Sequence, residues 1–481
     1  MIPTMPTAAD LLPLLPELVL VGAAFALLML DLFLEEGRRR LTNVLAIVAL
    51  LAVAAMIVAG VGGQGTVLNG MFVRDTMADV LKVAACVITA LSLVYVWPFM
   101  RERGLYKGEV AVLMLFATAG MMLLISAGSL VMVYLGLELL ALCSYALVAI
   151  DRDSPLGSEA AMKYFVLGSL ASGLLLYGMS LLYGATGTLD LAQLQAAIAG
   201  SPEPTLLLMG TVFLVAGIAF KFGAAPFHMW LPDTYHGAPT PITVFIGSAP
   251  KLAAFAMAFR LLESGLGPLD ERWRLLVAGL AVLSLAVGNL VALMQPNVKR
   301  MLAYSTVSHV GFLFLGLAAA DSVGYAAAMF YAITYAIMAT AAFGAIVVLA
   351  RHNYEADRLD DFKGLNARNP WLAGMMLIAM MSLAGIPPFL GFWAKLAVLR
   401  AAIQGDMLWL AIVGIVFAVI GCFYYLRVCK VMYFDPPEEG VPEPRGDDRP
   451  LRIVFSINAL ALLGLGFAWN PIMAWCQRSF M

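Results

Sequence analysis

Five lysines stand inside runs of apolar residues, where a charge is costly: Lys82, Lys163, Lys221, Lys251 and Lys395. They belong to a set of 29 Lys and Arg residues, and no arginine shares their setting. The residue type matters, because a desolvated lysine can lose its proton at accessible pH while an arginine in practice cannot. One carboxylate joins them. Glu138, in Val133-Tyr-Leu-Gly-Leu-Glu-Leu-Leu-Ala-Leu142, is the only acidic side chain expected so deep, and a carboxylate there takes up a proton unless a cation stands near it. Lysines and a glutamate in hydrocarbon point to proton transfer.

Lys221 lies in Ala219-Phe-Lys-Phe-Gly223 and Lys251 in Ser248-Ala-Pro-Lys-Leu-Ala253, while Lys395 follows Pro388 by seven residues with no acidic neighbour in its run. With Glu138 these three are the principal proton-transfer candidates, against static roles as counter-ions or helix clasps. Lys163 divides between relay and a stem that snorkels to the headgroups. Lys82, one turn after Asp79, reads as a snorkelling or locally paired residue. His309, in Ser305-Thr-Val-Ser-His-Val-Gly311, has hydroxyls at helical spacing; it either links the lysine regions through water or is a satisfied structural histidine. His228, Asp233 and His236 read as a proton-loading mouth or a hydrogen-bonded brace.

The elements that must hold these residues are membrane helices. The chain has 481 residues, 62% hydrophobic and 12% charged, against about a quarter charged in soluble chains. Apolar runs of roughly 20 residues, enough to cross about 30 Å of hydrocarbon, recur throughout. Punctuation by charge, Gly and Pro gives fourteen spans, near 11-34, 41-62, 76-98, 109-126, 129-150, 159-184, 204-236, 239-262, 274-294, 299-319, 323-350, 371-403, 407-433 and 452-477. The first is expected to stay as a membrane helix, since it is too long for a signal peptide and lacks its basic start. Spans 7 and 12 are long, carry Gly and Pro near their middles, and read as broken.

Basic residues in the loops set the orientation. Eighteen, Arg445 and Lys299 among them, fall on one side and six on the other, which predicts both termini on the outer side of the membrane. The formal net charge of −2 leaves no basic face for nucleic acid. Nothing resembles a P-loop, a dinucleotide-binding glycine fingerprint or an HExxH zinc site. The five cysteines lack CxxC spacing and read as small hydrophobes.

The chain also repeats itself. Gly223-Ala-Ala-Pro-Phe-His-Met-Trp230 and Gly385-Ile-Pro-Pro-Phe-Leu-Gly-Phe-Trp393 share GxxPF, and Ala160-Ala-Met-Lys-Tyr164 is echoed by Ala327-Ala-Met-Phe-Tyr331. Spans 4–8 thus map onto spans 9–13. Five crossings are an odd number, so the second copy is inverted, as in many transporters. The expected organisation is an all-α membrane protein: a three-helix segment (1-108), a first repeat (109-262), a second repeat (263-433), and a cytoplasmic loop with span 14 (434-481). Alignment of the breaks sets Asp233, not a lysine, opposite Lys395.

Three stretches carry a resemblance: Phe220-Lys-Phe-Gly-Ala-Ala-Pro-Phe-His-Met-Trp-Leu-Pro-Asp233, Asn297-Val-Lys-Arg-Met-Leu-Ala-Tyr-Ser305 and Leu383-Ala-Gly-Ile-Pro-Pro-Phe-Leu-Gly-Phe-Trp-Ala-Lys395. Over essentially its whole length the chain resembles the antiporter-like membrane subunits of respiratory complex I, the NADH-quinone oxidoreductase. The resemblance implies that Glu138 and Lys221 form a charged pair, that Lys251 and Lys395 extend a water-linked axis, and that Lys163 matches a basic position of the family. It also implies that this chain binds no redox cofactor, with NADH, flavin, iron–sulfur clusters and quinone handled by partner subunits. The rival readings are a subunit of a multi-subunit sodium/proton antiporter and a non-conducting membrane scaffold.

Overall fold

A computed structural model describes residues 11–200, 203–352, 354–437 and 448–481; Arg445 lies outside the described residues. The first three spans are α1 (Leu15–Asp31), α2 (Arg40–Val58) and α3 (Thr76–Glu102), with a hairpin of β1 (Gly65–Val67) and β2 (Phe72–Arg74) before α3. Spans 4, 5 and 6 are α4 (Gly108–Ile125), α5 (Leu130–Val148) and α6 (Pro155–Thr186). A short helix between spans 6 and 7, α7 (Leu191–Ile198), follows, started by the Asp190 side chain accepting from Gln193 N–H. Span 7 is broken into α8 (Pro204–Phe222) and α9 (Trp230–Gly237), and span 8 is α10 (Thr240–Phe259).

The second repeat begins with α11 (Asp270–Leu293), α12 (Val298–Ala319) and α13 (Ser322–Leu349). After a four-residue turn of helix, α14 (Leu365–Arg368), span 12 is broken into α15 (Pro370–Ala384) and α16 (Leu390–Gln404), and span 13 is α17 (Leu408–Phe434). The last span ends earlier than its apolar pattern suggested. It is α18 (Arg449–Phe467), and the chain turns at Asn470-Pro471 into the short α19 (Asn470–Arg478), because proline at a helix start cannot continue the preceding ladder. Thirteen described helices are long and apolar enough to cross a membrane. The broken pair α15–α16, each half too short alone, brings the crossings to fourteen.

The repeat is visible in how helices touch. A Cβ on Gly120 of α4 would meet Gly136 O and Leu140 N of α5, and one on Gly288 of α11 would meet Tyr304 O and Ser308 N of α12. Small residues let backbones approach in the same way in both copies, with a constant offset of 168 (304−136 and 308−140). The centre of the bundle is α10, α12 and α13, whose side chains are buried almost without interruption. A helix apolar on all sides belongs inside, and these three bring the two repeats together.

Candidate functional site

Both breaks begin with a glycine in the left-handed region, where a side chain is disfavoured. At the first, Gly223 (φ +76°) donates to Ala219 O and Phe220 O, and Ala224 N–H donates to Ala219 O at 2.8 Å. At the second, Gly385 (φ +82°) donates to Met381 O and Ser382 O, and Ile386 N–H donates to Met381 O at 3.1 Å. The freed carbonyls that follow are the negative end of a half-helix dipole and need donors inside a membrane.

Lysines supply them. Lys251 Nζ, from α10, donates to Phe222 O at 2.8 Å. Lys395 Nζ, from α16, donates to Leu383 O at 3.0 Å and Ala384 O at 2.7 Å. Phe222 and Ala384 are the equivalent residues of the two breaks, 162 apart. Lys395 therefore stands opposite Asp233 along the chain, yet its ammonium occupies in space the place that Lys251 holds in the first repeat. Cys422 of α17, the helix equivalent to α10, completes the match by donating its Sγ–H to Ala384 O at 3.6 Å. Lys395 has no acidic neighbour, but it is not without partners. Around the first break Trp230 Nε1 donates to Phe220 O at 3.0 Å and Ala225 N–H to Ser284 Oγ at 2.9 Å.

Glu138 and Lys221 face each other without closing. Neither is in an ion pair within 4.0 Å among the described residues, and Glu138 Oε1 is buried with no hydrogen-bond partner. Glu138 is nevertheless the charged group that acts on Lys221, and Lys221 in turn acts on Lys251. A cavity of about 10 Å³ beside Lys221, lined also by Leu137, Tyr145 and Gly168, approaches the size at which one water fits.

In the second repeat the polar core is a hydroxyl network around His309, which feels the charge of Lys395. His309 Nδ1 lies 2.7 Å from Tyr331 Oη, and its Nε2 lies 3.1 Å from Tyr425 Oη, which also bonds Ser305. Beside it Tyr424 O–H donates to Asn289 Oδ1 at 3.1 Å and Asn289 Nδ2 to Ser308 Oγ at 2.8 Å, while Tyr335 O–H donates to Thr306 Oγ1 at 2.7 Å. The hydroxyls beside His309 on its own helix were legible in sequence. The tyrosines and Asn289 arrive from α11, α13 and α17, and only the repeat echo at Tyr331 hinted at one of them.

The expected mouth separates into three. His236 lines a vestibule of about 490 Å³ with Arg103, Lys299, Glu355 and Asp357. Asp233 is tied up in ion pairs with Lys163 (2.8 Å) and Arg300 (2.7 Å), and His228 packs against the Tyr304 ring. In the loop after α13, burial alone would raise the Asp357 carboxyl. Contact with His236 (3.5 Å), the hydrogen bond from Asn297 Nδ2 (2.6 Å) and the charge of Lys299 outweigh it and hold Asp357 down at about 2.

Two placements, of Lys82 and Lys299, correct the sequence reading, and that of Lys163 adds its partners. Lys82 does not snorkel or pair with Asp79: it is wholly buried and pairs with Glu17 of α1 at 2.5 Å, while Asp79 takes Arg74 at 2.7 Å. Glu17, 3% exposed, is therefore an acid buried more completely than Glu138, whose Oε1 alone is enclosed. Lys299, counted with the loop cations, is 2% exposed in the first turn of α12 and donates to Ala238 O at 3.0 Å. Lys163 is 44% exposed and paired with Glu159 (2.6 Å) as well as Asp233. Among the described residues no cluster of His, Cys, Asp and Glu could hold a metal ion.

Comparison with known proteins follows the same lines. Residues 127–421 match the family described as NADH:quinone oxidoreductase/Mrp antiporter, TM. The chain is 67% identical over 474 residues to NADH-quinone oxidoreductase subunit N of Xanthomonas euvesicatoria pv. vesicatoria, covering 98% of this chain and 97% of that one. It is 51% identical over 468 residues to the protein of the same name from Thioalkalivibrio sulfidiphilus, with 97% of each covered. Among solved structures, a chain of respiratory complex I from Thermus thermophilus superposes with a TM-score of 0.81 at 30% identity, over 95% of this chain and 98% of that one. A chain of the Mrp complex from Dietzia sp. superposes with a TM-score of 0.83 at 23% identity, over 98% and 97%, a likeness of fold.

Proposed function

The chain belongs to the subunit N family of NADH-quinone oxidoreductases, and from that premise we propose that protons cross it by way of Glu138, Lys221, Lys251 and Lys395. It is a multi-pass, proton-translocating membrane subunit of that complex, and other membrane subunits are its partners. We read it as a non-redox translocase without bound cofactor, seated in the bacterial inner membrane with both termini on the periplasmic side and divided at 108, 262 and 433.

The observation that carries the reading is the lysine on the open carbonyls of each break. An ammonium there has hydrogen-bond acceptors and a half-helix dipole but no carboxylate holding it, so it can be charged or neutral at modest cost. Glu138 and Lys221 supply the switch. Two unit charges ~6 Å apart at an effective dielectric of ~20 attract by about 3 kcal/mol. Closing the pair holds a proton on Lys221; opening it, the arrangement seen here, loosens that proton towards Lys251. His309 with Tyr331 and Tyr425 offers a hydroxyl path near Lys395, and the His236–Lys299 vestibule offers access from the arginine-rich side. Lys163 and Asp233 brace that side, and His228 lies beside the path. A charge or conformational change in a neighbouring subunit that moves Glu138 would couple this path to quinone chemistry elsewhere.

The test is the assembled complex in proteoliposomes, with proton uptake measured per NADH oxidised. Glu138→Gln and Lys221→Ala are expected to remove uptake while the complex still assembles. Uptake at the wild-type ratio in both variants would leave the scaffold reading in its place.

A further inference from the structure

A groove that the proton path does not use lies between α2, α3, α13 and α19, with a volume of about 660 Å³. Its floor is the outer face of α3, where Val80, Val83, Val87 and Ile88 follow one another at helical spacing. Their span is about 12 Å at 1.5 Å per residue. Ile333 and Ile337 of α13 form a wall and Ile472 of α19 closes it. Val58 and Val87, 75% and 37% exposed, open it sideways, where the surroundings of these spans are hydrocarbon.

One end is polar. Gln64, Arg74 and Asp79 line it beside the hairpin, on the arginine-poor side. The Arg74 side chain is fully buried. Its Nε donates to Asp79 Oδ1 and its Nη1 to Val61 O, both at 2.7 Å, while its Nη2 has no acceptor among the described residues. A buried guanidinium N–H without an acceptor is costly. Trp475 of α19, half exposed, stands at the rim, in the setting tryptophan favours at a membrane surface. The groove thus runs from a polar headgroup level into apolar depth.

We infer that this groove holds a phospholipid, one acyl chain lying along Val80–Ile88 and one headgroup oxygen accepting from Arg74 Nη2 once the enclosed guanidinium turns towards the polar end of the groove. A phospholipid fits because the groove demands both a hydrocarbon chain of roughly this length and a hydrogen-bond acceptor at its outer end. A bare hydrocarbon would leave Arg74 unsatisfied.

The test uses the intact complex reconstituted into phosphatidylethanolamine nanodiscs. These contain either phosphatidylethanolamine with a diazirine in its acyl chain or the same diazirine chain without a headgroup, and labelled peptides are identified by mass spectrometry. The expected result is an excess of headgroup-bearing label on the peptides carrying Val83–Ile88, Ile333–Ile337 and Ile472–Trp475. Arg74→Lys, which keeps a cation for Asp79 but has no Nη2, should lose that excess. Val87→Trp, which fills the groove, should lose the label altogether, with NADH oxidation reporting that the complex is assembled. Equal labelling by the two probes, label persisting in Val87→Trp, an unlabelled groove covered by a partner subunit, or displacement of the label by an isoprenoid quinone would each overturn the site.

Discussion

At the first helix break Lys251 reaches Phe222 O from a neighbouring span, and Lys221 and Glu138 stand close by; at the second, Lys395 folds back from its own span onto Leu383 and Ala384. The repeat offsets put Leu383 in the place of Lys221 and Thr306 in the place of Glu138. The second repeat sets its lysine over the Phe312 ring instead, and its own polar core is the hydroxyl network of His309. What the two breaks share is one ammonium on the last carbonyls of a half-helix. What differs is the charged pair. The cap is thus the part the fold requires twice, and the charged pair is an addition to one copy.

Lysine-to-arginine exchange tests this most sharply. Arginine can still cap the carbonyls but cannot release a proton, so Lys251→Arg and Lys395→Arg are expected to assemble with proton uptake at background. Uptake that survives arginine but not methionine would reduce both lysines to caps and dissolve the functional half of the comparison.

The joint between the repeats comes next in size. Asp357, on His236 and Asn297, stays ionised down to about pH 2 against an ordinary 3.8. A lowered folded-state value stabilises above the unfolded value and is lost as pH falls through the folded one. Asp357→Asn should therefore cost about 2 kcal/mol at neutral pH, the deficit shrinking from about pH 4 towards about pH 2 in thermal unfolding of the complex.

The glycines separate the breaks. A side chain in the left-handed region costs about 1–2 kcal/mol, so Gly223→Ala and Gly385→Ala should lower the melting temperature alike. Only Gly385→Ala should also impair proton uptake, because its Cβ would lie 2.7 Å from Lys395 Cδ, whereas at Gly223 it would meet the apolar Leu231 and none of the lysines. Equal loss of uptake would mean that the breaks respond as one unit. The smallest effect is expected from Tyr425→Phe, which leaves His309 its bond to Tyr331: about 1 kcal/mol by denaturation and a partial slowing of uptake.

The breaks were legible because glycine and proline in an apolar run have few other meanings, and the buried lysines because charge in hydrocarbon is conspicuous. Partners were not. Lys299 sits two residues after the Asn297 that starts its helix, where sequence reads as loop, and its burial comes from α9 and the loop after α13. Glu17 lies in the first turn of α1, where an acid ordinarily favours the helix dipole; only packing of α1 near α3 shows that it answers Lys82. The hydroxyl network around His309 is assembled from four helices, and no local spacing records that. Helix α7 was hidden because eight residues give too short a period to read.

The half-helix α9 has a consequence of its own. Asp233 holds Lys163 of the first repeat with one carboxylate oxygen and Arg300 of the second with the other. It works as a crank pin: a tilt of α9, which begins where the first break ends, must drag on both cations at once. A movement of either repeat that shifts its cation would then bear on α9 without any proton having to travel between the two.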